Sequence, residues 1–180
     1  MDRVRIYGYL AGVRRRVLDR VRTLDESAYT RGFDIGPGSI AKVLTHLLIS
    51  EWYYCQRIEG REVPPYAEWE VRDEQPLTLD EQLRRWDAQT ERTREVLSAE
   101  RDWDATIVYR VHDDDGRLIE VTTTADDIAT QLILRDASPG AALEHAAAAG
   151  CDLRRSGLQA VMYGRTRSRA SRATRRHHRA

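Results

Sequence analysis

Apolar residues spaced three or four positions apart recur through three long segments, and this spacing is typical of amphipathic helices. The segments cover about residues 2–24, 40–59 and 79–99. Their apolar stripes are Ile6, Leu10, Val13, Val17, Val21 and Leu24; Ile40, Val43, Leu44, Leu47, Tyr54 and Ile58; and Leu79, Leu83, Trp86, Thr90, Thr93 and Leu97. Arginines fill the opposite face of the first segment. Because an apolar helix face must be buried, the sequence predicts helices packed against helices.

Capping residues indicate where the predicted helices begin and end. Ser39 is a good N-cap for the second helix, and Gly60 suits the C′ position that follows it. Thr78 and Glu81 match a capping box at the start of the third helix. The stretch FDIGPGS, residues 33–39, contains helix-breaking glycine and proline and is predicted as a linker.

A β-hairpin and a fourth helix follow the third helix. Residues 106–124, TIVYRVHDDDGRLIEVTTT, alternate β-forming residues around Asp115-Gly116, which is a hairpin signal. Thr124 and Asp127 resemble another helix cap, and the apolar residues after it are Ile128, Leu132 and Ile133. The predicted fold class is therefore all-α, a four-helix bundle with a small hairpin between helices three and four.

The charge distribution separates the last residues from the rest of the chain. The 180 residues carry 29 basic and 29 acidic side chains. Residues 164–180 contain seven arginines and no acidic residue, so residues 1–163 carry a net charge near −7. The tail lacks aromatic residues that could stack on bases. We predict one bundle domain over 1–163 and a disordered Arg-rich tail over 164–180, with nucleic-acid binding as the weaker alternative.

The sequence predicts a cytoplasmic protein without a disulfide framework. No apolar run approaches the roughly 20 residues that a membrane helix needs. The first ten residues, MDRVRIYGYL, lack the apolar region of a signal peptide. The only two cysteines are Cys55 and Cys151. We interpret Cys55 as a small core residue rather than a reactive thiol.

His46 on the second helix is the side chain best suited to metal binding or catalysis. It borders the apolar stripe, and an imidazole pointing into a bundle could bind a metal together with ligands from facing helices. Taken alone, a core-facing histidine is more often hydrogen-bonded than metal-bound. Glu51, one turn later, could support such a site or act as an acid or base, although a salt-bridging role is favoured.

Several segments resemble the DinB (damage-inducible) family of four-helix bundles. They are YGYLAGVRRRVLDRV, GPGSIAKVLTHLLISEWYYCQRIEG, TLDEQLRRWDAQTERTREVL and the late AVMYGR. The resemblance covers about residues 1–136 and resumes at about 160. It implies a divalent metal, zinc or nickel, held by one histidine of helix two and an H-x-x-x-H pair of helix four. It also implies transfer of low-molecular-weight thiols or isomerisation of thiol adducts, with the metal stabilising the thiolate.

Only one of the three implied metal ligands is present. His46 matches the ligand of helix two, whereas the other two positions fall at Arg135 and Pro139. An arginine is a permanent cation, and a proline side chain has no donor atom. His145 is a poor substitute because it has no histidine four residues away. The metal site implied by the resemblance is therefore predicted to be impaired.

A compensated frameshift across about residues 137–159 would account for the missing ligands. A suitable choice of codons for residues 137–150, read one base later, encodes His-His-Arg-Ala-Gln-Arg-Leu, which resembles the end of helix four in the family. The DNA sequence tests this hypothesis.

Two functions remain open from the sequence. The first is a metal-dependent enzyme resembling a thiol transferase, with an impaired metal site and a low-molecular-weight thiol as its partner. The alternative is a metal-free, non-catalytic bundle that acts as a homodimeric interaction protein. Trp52, Tyr53, Tyr54 and the loop PPYAEW, residues 64–69, could supply apolar surface for a dimer, or they could simply close the core.

Overall fold

The computed structural model describes residues 2–33, 38–112 and 117–135, and within them the chain is mostly helical with one small hairpin. The helices are α1 (Arg3–Val21), α2 (Glu26–Thr30), α3 (Ile40–Ile58), α4 (Leu79–Ser98) and α5 (residues 125–135, helical to the last described residue). The strands are β1 (Thr106–His112) and β2 (Leu118–Thr124), and a short 3-10 turn covers Tyr66–Glu68. None of the helices in these ranges is long and apolar enough to cross a membrane. The proposed frameshift region, the domain boundary at 163 and the Arg-rich tail lie outside the described residues.

The predicted caps of the helices are confirmed. Ser39 and Thr78 each accept a hydrogen bond from the backbone N–H three residues later, at 3.2 and 3.4 Å. At the start of α5, Thr124 Oγ1 accepts from the Asp127 N–H at 3.1 Å, and Asp127 Oδ2 accepts from the Thr124 N–H at 3.3 Å. Gly60 follows α3 with φ of 68°. These local signals place the helix ends correctly because capping depends on few neighbours.

One helix was not predicted, and it lies between the first two predicted helices. Asp25 caps α2 by accepting a hydrogen bond from the Ala28 N–H at 2.7 Å. Tyr29 in this helix is fully buried, and its hydroxyl donates to the Leu77 carbonyl at 3.2 Å. A helix of five residues is too short for a periodic apolar pattern to reveal it.

Most of the residues predicted to be buried in α1 and α3 lie one position away from the buried faces, whereas Trp86, Thr93 and Leu97 of the stripe predicted for α4 are buried as expected. The buried residues of α1 are Tyr7, Ala11, Arg14, Leu18 and Val21. Those of α3 include Ala41, Leu44, Leu48, Glu51, Cys55 and Ile58, and those of α4 include Gln82, Trp86, Gln89, Thr93 and Val96. Most residues of the predicted stripes flank these faces and are half-buried. The stripes predicted for α1 and α3 were shifted by one position because polar residues that lie inside the fold were assigned to the surface.

The core consists of two apolar clusters with polar side chains between them along the helices. The first cluster is Tyr7, Ala11, Cys55, Ile58, Val96, Leu97, Ile128, Ala129, Leu132 and Ile133. The second cluster is Leu18, Val21, Tyr29, Ala41, Leu44, Leu48 and Trp86. Arg14 on α1, Glu51 on α3 and Gln89 on α4 fall between the two clusters in sequence. A charged and hydrogen-bonding layer therefore crosses the interior between two apolar regions.

The hairpin covers one part of the first cluster. β1 and β2 pair in antiparallel register along their whole length. Ile107 and Tyr109 pack against the cluster, and the Arg57 guanidinium lies 4.4 Å from the centre of the Tyr109 ring. Arg3 Nε donates to Asp126 Oδ1 at 2.8 Å, which joins the start of α1 to the start of α5.

Candidate functional site

The His46 imidazole lies between α5 and the connection that leads from α3 to α4. Its Nδ1 is 3.0 Å from Oδ2 of Asp73, and its Nε2 is 2.6 Å from Nη2 of Arg135. The His46 side chain is only 17% exposed. Both ring nitrogens are therefore engaged by protein groups in a largely buried setting.

Arg135 fixes the hydrogen-bonding state of this imidazole. A guanidinium carries only donors and stays protonated, so Nε2 of His46 must accept from it. The ring proton then lies on Nδ1, which donates to Asp73; this tautomer follows from the partners. Arg135 Nη1 also donates to the Tyr54 hydroxyl at 3.2 Å. Asp73, His46, Arg135 and Tyr54 thus form one hydrogen-bonded chain, which we call the His46 group.

Asp73 is held in place by its own turn. Its backbone N–H donates to the Tyr66 hydroxyl oxygen at 2.8 Å, and that hydroxyl donates to Glu74 Oε2 at 3.1 Å. Burial is the main cause that raises the pKa of Tyr66 to about 12. Asp73 was not predicted as a partner of His46, because the connection containing it has no periodic pattern.

The donor atoms around His46 do not fit the metal site that the family resemblance implies. Catalytic zinc ordinarily needs three protein ligands and one open position. Nε2 of His46 instead faces the guanidinium cation of Arg135. Asp73 contacts the other ring nitrogen, Nδ1, which is the place of a residue that hydrogen-bonds a metal-binding histidine without binding the metal itself. Asp73 Oδ1 is buried without a hydrogen-bond partner in the described part of the chain, but one oxygen does not complete a ligand set. Among the described residues, no group of three His, Cys, Asp or Glu side chains could hold a metal ion.

The remaining sequence-predicted positions can be placed only in part. Arg135, at one of the ligand positions of the family, indeed points at His46. Pro139, His145 and Cys151 lie outside the described residues.

Glu51 lies in a buried ion pair with Arg14, so the favoured salt-bridging role is confirmed. Its Oε2 accepts from Arg14 Nη1 at 2.6 Å, and its Oε1 accepts from the hydroxyls of Tyr7 and Thr93, each at 2.6 Å. The Arg14 guanidinium also lies 4.1 Å from the centre of the Trp86 ring. The expectation that the arginines of α1 lie on its outer face is therefore wrong for Arg14. Since both Glu51 oxygens are engaged within the core, no acid or base role at His46 is supported.

Cys55 is a core residue, as predicted. It is fully buried, and its Sγ lies 3.4 Å from Thr93 Oγ1. Burial raises the pKa of the Cys55 thiol to about 12. Because the thiolate is the reactive form, this environment makes Cys55 unreactive in the folded chain.

The aromatic residues that were candidates for a dimer surface pack mainly on one another. The Trp69 ring centre lies 5.0 Å from that of Trp52, 5.8 Å from that of Tyr53 and 5.0 Å from that of Tyr66. Trp69 Nε1 donates to the Pro64 carbonyl at 2.9 Å. These contacts fold the connection against α3, and homodimerisation through this surface stays a prediction.

A cavity of about 310 Å³ lies beside Trp69, between α3, α4 and the connection. Its lining is Leu48, Ile49, Trp52, Trp69, Glu70, Val71, Arg85, Ala88, Gln89 and Arg92. None of the residues of the His46 group lines it. The cavity and the His46 group are therefore separate places where chemistry or binding could occur.

Comparison with protein families identifies the class to which this helical fold belongs. The family model of the DinB superfamily matches residues 9–133, which include most of α1, all of α2 to α4, the hairpin and most of α5. The chain belongs to the DinB superfamily, and the resemblance drawn from its sequence is confirmed. No curated protein matches the chain.

Proposed function

We propose that this DinB-superfamily chain works without a metal ion at His46 and acts by binding a small ligand. The observation that carries the proposal is the 2.6 Å contact between Arg135 Nη2 and His46 Nε2. In the family, the imidazole lone pair and two further histidines are implied to hold the metal. Here that lone pair accepts a hydrogen bond from a permanent cation.

Electrostatics opposes a metal ion at this nitrogen. Two unit charges 4 Å apart repel by about 4 kcal/mol at an effective dielectric constant of 20, and a divalent ion roughly doubles that figure. The Asp73 carboxylate lies at the other ring nitrogen and offsets part of the repulsion. Thiol transfer of the kind implied by the resemblance depends on a metal that stabilises the thiolate. The residues around His46 therefore argue against metal-dependent thiol transfer, and the separate cavity beside Trp69 supports the binding of a small ligand.

We also propose that α1, α3, α4 and α5 form a four-helix bundle. Support comes from the first apolar cluster, which draws buried residues from all four of these helices. It also comes from the packing of α4 against both α1 and α3.

Metal analysis of the purified full-length chain tests the absence of a metal at His46. After incubation with zinc or nickel and dialysis, we expect the unmodified chain and His46→Ala to retain equal amounts of metal, measured by plasma mass spectrometry. Arg135→His replaces the cation with a second imidazole, and we expect it to retain more zinc than the unmodified chain. Adding His46→Ala to that variant should remove the gain, since two imidazoles are needed.

The comparison with His46→Ala separates this site from metal bound at other histidines, such as those near the C-terminus. About one zinc or nickel ion per chain that is lost in His46→Ala would show a complete metal site. That result would overturn the proposal and restore the enzyme resembling a thiol transferase.

A further inference from the structure

The cavity beside Trp69 has the form of a small-molecule site. Its lining includes Leu48 and Ile49, which are buried, and the aromatic residues Trp52 and Trp69. Its volume of about 310 Å³ lies at the lower end of the range for ligand pockets. A largely apolar lining with a few polar groups is also typical of such pockets.

The aromatic side of the cavity is held in place before any ligand arrives. Trp69 donates through Nε1 to the Pro64 carbonyl at 2.9 Å, and through its backbone N–H to the Tyr66 carbonyl at 3.1 Å. Its ring meets that of Trp52 edge to face at 5.0 Å. A site that is already ordered loses less conformational freedom when a ligand binds.

The polar edge of the cavity carries an arginine with one exchangeable partner. Arg85 Nε donates to Glu81 Oε1 at 2.6 Å within α4, whereas its Nη2 pairs with Glu70 from the connection. The Glu70 side chain is 77% exposed, and exposed ion pairs contribute little stability. A carboxylate from a ligand could therefore replace Glu70 on Nη2 while Glu81 keeps the guanidinium in position. Arg92 lines the same cavity about two turns further along α4 and adds positive charge, partly offset by Glu59.

We infer that this cavity binds a small carboxylate with an apolar or aromatic body. The body lies against Trp52 and Trp69, and the carboxylate pairs with Arg85. The inference rests on the proposed function, since both assign the chain to ligand binding, and it adds the site and the chemical class of the ligand.

Phenylpropionate and its uncharged analogue phenylpropanol are the probes that test this assignment. Two of the four tryptophans line the cavity, so binding to the full-length chain is followed by tryptophan emission and checked by calorimetry. For a ligand of this size we expect a Kd on the order of 0.1–1 mM for the acid. The alcohol should bind about tenfold more weakly, because it lacks the charge-assisted hydrogen bond. Arg85→Gln should weaken acid binding to the level of the alcohol and leave alcohol binding unchanged.

A matched pair of variants on α4 separates the cavity from other binding surfaces. Ala88 lines the cavity, and its neighbour Asp87 does not; both are exposed helical positions. Ala88→Phe should fill the space and weaken acid binding at least tenfold, whereas Asp87→Phe should leave it unchanged. Circular dichroism confirms that both variants are folded.

Three outcomes would overturn the inference: no binding of the acid, equal binding of acid and alcohol, or equal acid binding by Ala88→Phe and Asp87→Phe. None of these outcomes changes the metal content at His46. Conversely, a metal lost in His46→Ala would overturn the proposed function without altering the probe titrations, so the two failures are distinguishable.

Discussion

Replacing Glu51 with leucine is expected to lower the free energy of unfolding by about 3–5 kcal/mol, because the buried Arg14 charge then loses its ion pair with Glu51. Both side chains of this pair are at most 6% exposed, and the carboxylate also accepts hydrogen bonds from Tyr7 and Thr93. A domain of this kind is stable by about 5–15 kcal/mol, so the loss is a large fraction of the total. Urea-induced unfolding followed by circular dichroism measures it.

Two further variants show whether the loss of this buried ion pair is the cause. Glu91→Leu breaks an exposed pair with Arg94 on α4 and should change stability by no more than about 0.5 kcal/mol. The double variant Arg14→Met/Glu51→Leu removes both buried charges and should recover much of the loss seen in Glu51→Leu. If the double variant is no more stable than the single one, packing rather than charge explains the effect.

The parts of this fold that could be predicted from the sequence depend on neighbours along the chain. The bounds of α1, α3 and α4 agree with the periodic segments to within three residues. Their caps use donors only three residues away, as at Ser39 and Thr78. Propensity and capping are properties of short segments, so one sequence suffices to reveal them.

The parts that could not be predicted depend on pairs that meet only after folding. Arg14 lies three residues after Ala11 and four before Leu18, on the buried face of α1. Because it is charged, it was predicted to lie on the exposed face instead. Its burial depends on groups that meet it only after folding, among them Glu51 on another helix. The same holds for Asp73, which lies in a connection without periodicity and meets His46 across 27 positions. By contrast, the family resemblance placed Arg135 at a ligand position, which made its contact with His46 foreseeable.

Raising the pH above about 9 is expected to destabilise the fold steeply. Tyr7, Tyr29 and Cys55 are each fully buried. Burial is the main cause that raises the pKa of both tyrosines well above 10, and it raises that of the Cys55 thiol to about 12. The unfolded chain releases these protons near the ordinary values of about 8.5 for cysteine and 10 for tyrosine, while the folded chain retains them. Their stabilisation is therefore complete below those values and is lost as the pH rises toward the folded-state pKa values.

The slope of stability against pH measures this effect. Each proton held only by the folded chain contributes about 1.4 kcal/mol per pH unit, so these three groups alone contribute about 4 kcal/mol per unit to the fall above pH 10. Urea-induced unfolding at pH 8, 9, 10 and 11 supplies the slope. Tyr29→Phe should lower stability at every pH, because its hydrogen bond to the Leu77 carbonyl is lost, but it should flatten the fall above pH 10 by about 1.4 kcal/mol per pH unit. Tyr9→Phe alters a side chain that is 71% exposed and should leave the slope unchanged. Equal slopes in the two variants would show that the buried Tyr29 hydroxyl does not cause the alkaline loss of stability.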